Sequence, residues 1–192
     1  KDPSLREKPL GIQQKNIVVT CNYAARERGV TKCAWIRDAV KICPELVLVN
    51  GEDLQEYRKY SQNVFRLLQT YGCPVERLGM DENFLDISDI VEKKLSADDN
   101  DVPITVEGFI YGDDEDFKGG CACGCYKRLC HGSHIAAQVR SRLFNELGIT
   151  SSAGIATNKL LAKLVGSCHK PNKQTTIFPG TVSWLMSSLD NV

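Results

Sequence analysis

The chain has 192 residues, 42% of them hydrophobic and 25% charged, which excludes a disordered polymer and leaves room for one large domain or two small ones. No apolar run approaches the length of a membrane span. The first residues, KDPSLREKPL, offer neither an initiator Met nor the apolar core of a signal peptide, so the chain is expected to begin within a longer protein. The zero net charge hides a pattern: residues 1–50 carry nine basic and five acidic side chains, 51–118 seven and seventeen, and 119–192 eight and two. Two basic flanks around an acidic middle suit an anionic ligand over a metal centre, and suit a solvated acidic surface equally well.

In chain order, NIVVTC (residues 16–21) is a β-branched run that predicts a strand, and NYAARERGV after it predicts a helix capped by Asn22 and ended near Gly29. TKCAWIRDAVKIC (31–43) spaces Ala34, Ile36, Ala39, Val40 and Cys43 as a helix would, Pro44 stops it, and ELVLVN reads as a strand. GEDLQEYRKYSQNVFRLLQTYG (51–72) gathers Leu54, Tyr57, Val64, Leu67 and Leu68 near one face and predicts the longest early helix. VERLGM and NFLDIS follow as a strand pair, and DISDIVEKKLS turns helical. Residues 98–101 and 112–124, acidic and rich in Gly and Cys, read as loops. SHIAAQVRSRLFNELG (133–148) predicts a helix capped by Ser133 and stopped by Gly148. SSAGIA is a short strand, TNKLLAKLVGSCHK a helix stopped by Pro171, and QTTIFPG a last strand. Strands and helices mix without a strict βαβ rhythm, which predicts an α/β (α+β) fold with a mixed sheet and helices on one side.

Three groups of residues carry possible chemistry. Asp81 and Glu82 stand side by side in RLGMDENFLDIS, where neighbouring carboxylates repel unless a positive charge sits between them. Within a regular strand they would point to opposite faces. At a hairpin bend, which the Gly and Asn of GMDEN suit, both can reach a hard divalent cation, or simply solvent. Tyr23 and Arg26, three apart at the start of a predicted helix, can bind phosphate through a hydroxyl, a guanidinium fork and helix amides, or can be a surface Arg beside a half-buried Tyr. Lys159, Lys163 and Lys170 fall on one stripe at helical spacing, either a phosphate clamp or a solvated face.

KPLGIQQKNIVVTCNYAARERGV, RLGMDENFLDIS and GIATNKLLAKLVGSCHKPNKQT resemble, in this order and spacing, the fingers and palm of the Y-family DNA polymerases that copy damaged templates, and GIQQKNIVVTCNY with VLVNGEDLQEYRKYS is most similar to the iota branch. The resemblance runs over nearly the whole chain and is weakest at residues 98–130. It implies a small α/β fingers subdomain over residues 1–53 and a palm with a mixed or antiparallel sheet backed by helices over 54–192. It implies that Asp81 and Glu82 ligate two Mg²⁺ or Mn²⁺ ions. Tyr23, Arg26 and Lys170 would then contact the triphosphate of an incoming dNTP, with Lys163 nearby, while Gln14, Lys15 and Ile17 would lie over the nascent base pair.

The implied reaction is template-directed nucleotidyl transfer to the 3′-hydroxyl of primer-template DNA, in the nucleus, with repair and replication proteins bound through regions outside this chain and no membrane involved. A further catalytic Asp on a first palm strand, followed by an aromatic FYA stretch, belongs to the family pattern and does not occur here, nor do the thumb and little finger. This chain alone is therefore expected to be inactive. The alternative is a non-catalytic relative that binds DNA or repair proteins as a scaffold.

The nine cysteines are odd in number, and Cys21, Cys33, Cys43, Cys73 and Cys168 stand singly, as in a reducing compartment. KGGCACGCYKRLCHGSH offers Cys121, Cys123, Cys125, Cys130, His131 and His134 as zinc ligands, but C-x-C-x-C is not the C-x₂₋₄-C spacing of most structural sites. Zinc is not expected. A flexible thiol-rich loop over residues 112–131 is, with reversible disulfide formation as a third reading.

Overall fold

The structure, a computed structural model, describes residues 3–96, 105–112 and 123–189. The chain divides into two compact units, residues 1–59 and 60–192.

In the first unit, β1 (Leu10–Gln14), β2 (Ile17–Cys21), β3 (Ala34–Trp35) and β4 (Val47–Asn50) form a sheet in the order β3-β2-β1-β4. The β1–β2 and β2–β3 pairs are antiparallel and β1–β4 is parallel. LGIQQ has two apolar side chains and no β-branched run, so nothing local marks β1; its strand conformation comes from the ladders on either side of it. Helices α1 (Tyr23–Glu27) and α2 (Ile36–Ile42) pack on the sheet around Val18, Ala25, Val30, Ala39 and Cys43. Asn22 caps α1 by accepting a hydrogen bond from the Ala25 amide at 3.1 Å, as expected from sequence.

The helix predicted over residues 31–43 is shorter than its apolar spacing suggested. Cys33 adopts φ +61, the Cys33 amide donates to the Val18 carbonyl, and Ile36 donates to that of Asn16, so the stretch before Ile36 serves the sheet. The next helix, α3 (Gln55–Gln69), likewise starts late. Asn50 Oδ1 accepts from the Glu52 amide and Asp53 Oδ1 from the Gln55 amide, and these turns hold residues 50–54 outside the helix. The division between the units falls inside α3.

The second unit contains the hairpin β5 (Val75–Leu78) and β6 (Glu82–Leu85), then α4 (Ser88–Ser96), β7 (Phe109–Ile110), α5 (Cys125–Leu147), β8 (Ala153–Ile155), α6 (Lys159–Val165), β9 (Gln174–Thr176) and α7 (Val182–Ser188). Val75 and Leu85, on one face of the hairpin, join a core of Leu67, Leu68, Val91, Ile135, Val139 and Leu143. A second core gathers Leu161, Val165, Ile177 and Leu185.

Instead of one mixed palm sheet, the described residues of this unit form two separate ladders, the antiparallel hairpin and a parallel β7-β9-β8 sheet. β8 and β9 run parallel because α6 is the crossover between them. Helix α5 begins eight residues before Ser133, after Gly124 in the left-handed conformation. Ser133 is no cap: it is fully buried, its hydroxyl donating to the Cys130 carbonyl and accepting from the Glu107 amide. Residues 125–131, expected in a loop, are therefore the first two turns of a helix. The rest of the Cys-rich stretch up to residue 122, and the acidic stretch at 98–101, lie outside the described residues.

Helix α6 lies directly on β8 at Gly154. A Cβ at that position would overlap the Ala162 carbonyl oxygen and come within 2.6 Å of the Gly166 amide nitrogen. Both obstacles are backbone, so they cannot rotate away. Gly154→Ala is expected to cost about 3 kcal/mol by forcing α6 off the sheet. Urea unfolding measures this, and a cost below about 0.5 kcal/mol would show that the helix seat is not close-packed.

Candidate active site

The bend between β5 and β6 consists of Gly79, Met80 and Asp81, with Gly79 at φ +78. Asp81 thus stands in the bend, while Glu82 is the first residue of β6, paired with Leu78. Both are exposed. Asn83, expected to help make the bend, instead lies within β6 opposite Arg77.

The strand period of two puts Glu76, Leu78, Glu82 and Phe84 on the face of the hairpin opposite Val75 and Leu85. Helix α6 meets this face with two lysines one turn apart. Lys163 Nζ lies 2.8 Å from Glu82 Oε2, and Lys159 pairs with Glu76 while its ammonium sits 6.0 Å from the Phe84 ring centroid. Asn158 caps α6 by accepting from the Leu161 amide. The other hairpin face is tied to α3, where Arg77 donates to the Ser61 hydroxyl at 2.6 Å and lies over the Phe65 ring.

The structure therefore brings Glu82 and Lys163 together. It takes Lys170 off the lysine stripe, because α6 ends at Val165 and Lys170 sits in the exposed turn beyond it. Glu76 is a partner that local sequence does not single out; the strand alternation Glu76, Leu78 against Glu82, Phe84 is the signal that would have found it. With both side chains of the Glu82–Lys163 pair about half exposed, the pair is worth about 0.2–1 kcal/mol, little enough for a stronger cation to displace the ammonium. Two hard oxygen donors at the exposed end of a hairpin, one of them already facing an ammonium, fit a hard divalent ion that keeps much of its water. Among the described residues, no group of three or more His, Cys, Asp or Glu side chains could hold a metal.

In the first unit, Tyr23 and Arg26 share a face of α1, the guanidinium carbon lying 4.8 Å from the ring centroid. Arg26 Nε donates to the Cys21 carbonyl at 3.1 Å, which orients the fork, and Arg26, Gly29, Val30, Thr31 and Lys32 line a shallow concavity. Gln14 donates to the Gly51 carbonyl at 2.8 Å, Lys15 occupies the β1–β2 turn at φ +49, and Ile17 opens β2 opposite Trp35.

Of the zinc candidates, Cys123 and Cys125 place their sulfurs 3.0 Å apart, and Cys130 and His131 are buried in α5. His134 Nε2 is 3.1 Å from the Thr105 carbonyl oxygen. Burial, with Lys94 and His134 nearby, pushes the His131 pKa below its ordinary value. Cys121 lies outside the described residues.

The impB/mucB/samB family model matches residues 1–167. The chain belongs to this family. It is 50% identical over 192 residues to DNA polymerase iota of Drosophila melanogaster and 47% identical over 193 residues to that of Homo sapiens, across 100% of this chain and 26% of each relative. Identity to DNA polymerase IV of Mannheimia succiniciproducens is 30% over 193 residues, covering 98% of this chain and 44% of that protein. Identity is thus higher to these iota proteins than to this polymerase IV. Among solved structures, a Dbh ternary complex with partially disordered substrates matches with a TM-score of 0.72 and 26% identity, over 98% of this chain and 46% of that one. The mixed α/β architecture is that of the family, and the chain spans about a quarter of the length of the iota relatives. No helix among the described residues is long and apolar enough to cross a membrane.

A further carboxylate, Asp86, at the end of the hairpin away from the bend, has a different task. Its Oδ1 accepts from the Ser88 hydroxyl at 2.7 Å and from the Ser88 amide at 3.1 Å, turning the chain into α4. These hydrogen bonds, the hydroxyl's first, and more weakly the charge of Lys159, hold its pKa below the ordinary aspartate range against a small opposing effect of burial. A depressed carboxylate stabilises the fold above the unfolded-state value, and that contribution disappears as pH falls through the folded value. The stability difference between wild type and Asp86→Asn should therefore be present at about pH 6 and shrink as pH falls below about pH 4. Urea midpoints that stay equally far apart across this window would contradict the assignment.

Proposed function

We propose that this chain carries the fingers and palm residues of an error-prone translesion DNA polymerase, which transfers a nucleotide from a dNTP to the 3′-hydroxyl of primer-template DNA opposite damaged bases. The reading rests on the exposed Asp81–Glu82 pair at a hairpin bend, with a lysine ammonium already on Glu82, in a chain of the impB/mucB/samB family.

Asp81 and Glu82 would hold divalent ions, Mg²⁺ or Mn²⁺. Such ions, when bound, supply Lewis-acid stabilisation of phosphoryl oxygens and lower the pKa of an attacking hydroxyl. The protein's own side chains handle the remaining charge. Arg26, its Nε fixed on the Cys21 carbonyl, keeps the outer guanidinium nitrogens for phosphate oxygens, and the Tyr23 hydroxyl donates one further bond. Lys170, exposed, meets the triphosphate as a point charge, and Lys163 joins it when released from Glu82. Gln14, Lys15 and Ile17 are assigned to the nascent base pair. The setting is nuclear, and other repair and replication proteins bind outside this chain.

Asp81→Ala and Glu82→Ala in the full-length protein are expected to abolish nucleotide incorporation with thermal stability near wild type, because both residues are exposed. Primer extension in Mg²⁺ and in Mn²⁺ is the measurement, and wild-type rates in both variants would refute the metal assignment. Arg26→Ala should raise KM for the nucleotide on the order of tenfold, with a smaller fall in kcat. Unchanged nucleotide dependence with weakened DNA binding would move Arg26 out of the nucleotide site.

A further inference from the structure

The turn that carries Lys170 is anchored on both sides. Before it, the His169 ring stacks on Phe109 with centroids 4.0 Å apart and planes 6° apart, and His169 Nδ1 lies 2.9 Å from the Thr175 hydroxyl oxygen. Thr175 is buried in β9, so this anchor is set in the sheet. After it, Asn172 takes the left-handed conformation at φ +52, which Asn tolerates better than most residues, and is gripped from α5. Arg140 Nη2 donates to the Asn172 carbonyl at 2.7 Å and to Asn172 Oδ1 at 3.0 Å.

The rest of the Arg140 fork is also engaged. Nε donates to the Ser151 carbonyl at 2.9 Å, and Nη1 donates to Gln174 Oε1 at 3.1 Å. Gln174 is 2% exposed, and its Nε2 donates to the carbonyls of Glu107 and Ser133. One guanidinium thus connects α5, the loop before β8, β9 and the Lys170 turn. All four of its partners are neutral oxygens, and burial pulls its pKa below the usual arginine value. The Glu107 charge opposes that shift, and only a planar fork could make all four bonds.

Ordering a lysine side chain costs conformational entropy, and ordering the backbone beneath it would add to that cost with every residue fixed. Here the backbone share is met on folding, before any ligand arrives. We propose that Arg140 is a positioning residue which, together with His169, fixes the turn at residues 169–172 so that Lys170 is presented ready to bind the nucleotide triphosphate. This rests on the reading of Lys170 given above.

The test uses nucleotide-insertion kinetics of the full-length protein in a double-mutant design, with amide hydrogen exchange over residues 168–173. Arg140→Gln, and the milder Asn172→Gly that keeps the left-handed backbone but removes Oδ1, should each raise KM for the nucleotide about 3- to 10-fold, with kcat changed less. Neither should raise it further in a Lys170→Ala background, and exchange in the turn should quicken about tenfold or more. A KM unchanged by both variants, a rise that multiplies with that of Lys170→Ala, or unchanged exchange would overturn the proposal. Should Arg140→Gln fail to fold, the exposed Asn172→Gly decides alone. Lys170→Ala with wild-type KM would refute the Lys170 assignment itself, and the positioning role would fall with it.

Discussion

The exposed face of the β5–β6 hairpin carries two glutamates, Glu76 and Glu82, and α6 is placed to bring an ammonium to each. The hairpin face that bears Glu76 and Glu82 is the one that α6 approaches, and α6 brings Lys159 and Lys163 at the one-turn spacing needed to meet both. That approach depends on Gly154. Because β8 has no side chain there, the α6 backbone sits directly against the strand, and the lysines are carried within reach of the hairpin. The opposite hairpin face is anchored by Val75 and Leu85 in the main core and by Arg77 on α3. Glu76 and Glu82, Lys159 and Lys163, and Gly154 are thus one device: remove the close approach and the countercharge retreats.

Much of this was readable from sequence, and the gaps have physical causes. The hairpin, α4, α6, β8, β9 and the Asn22 cap follow from alternation, helical spacing and capping residues that act over a few positions. β1 and β7 were not readable, because LGIQQ has no β-branched run to mark it, and the pair Phe109–Ile110 owes its conformation to β9, far away in the chain. The same cause explains the start of α5. Ser133 before an apolar stripe looks like a cap, but its hydroxyl bonds the Glu107 amide 26 residues away, and the helix continues back to Cys125. Helical spacing over residues 31–43 failed for a related reason, since β2 claims Cys33 and Ala34 by backbone bonding.

At the candidate site the division is similar. Asp81, Glu82, Tyr23 and Arg26 could be singled out as candidates because adjacent acids, and an Arg three residues after a Tyr, are local patterns with a chemical meaning. The pairing of Glu82 with Lys163 spans 81 residues and was not legible, nor was the role of Asp86, whose bonds to Ser88 start a helix. Arg140 was the least visible. It lies one residue beyond Val139 on the edge of the apolar stripe of α5, where an arginine reads as a surface residue whose stem covers the core.

The two lysines assigned to phosphate show how one side-chain type serves two ends. Lys163 sits on a helix and is held by an exposed carboxylate, a contact weak enough to be exchanged, so its position depends on what else Glu82 binds. Lys170 has no such partner among the described residues; what is fixed is the backbone under it, through a stacked ring on one side and a half-buried guanidinium on the other. The first arrangement lets charge move when a stronger cation or anion arrives. The second keeps charge in one place whatever arrives. A site that must accept a highly charged ligand and then release a charged product is served by having both, because a fixed cation sets where the ligand docks while an exchangeable one adjusts the local charge as the ligand comes and goes.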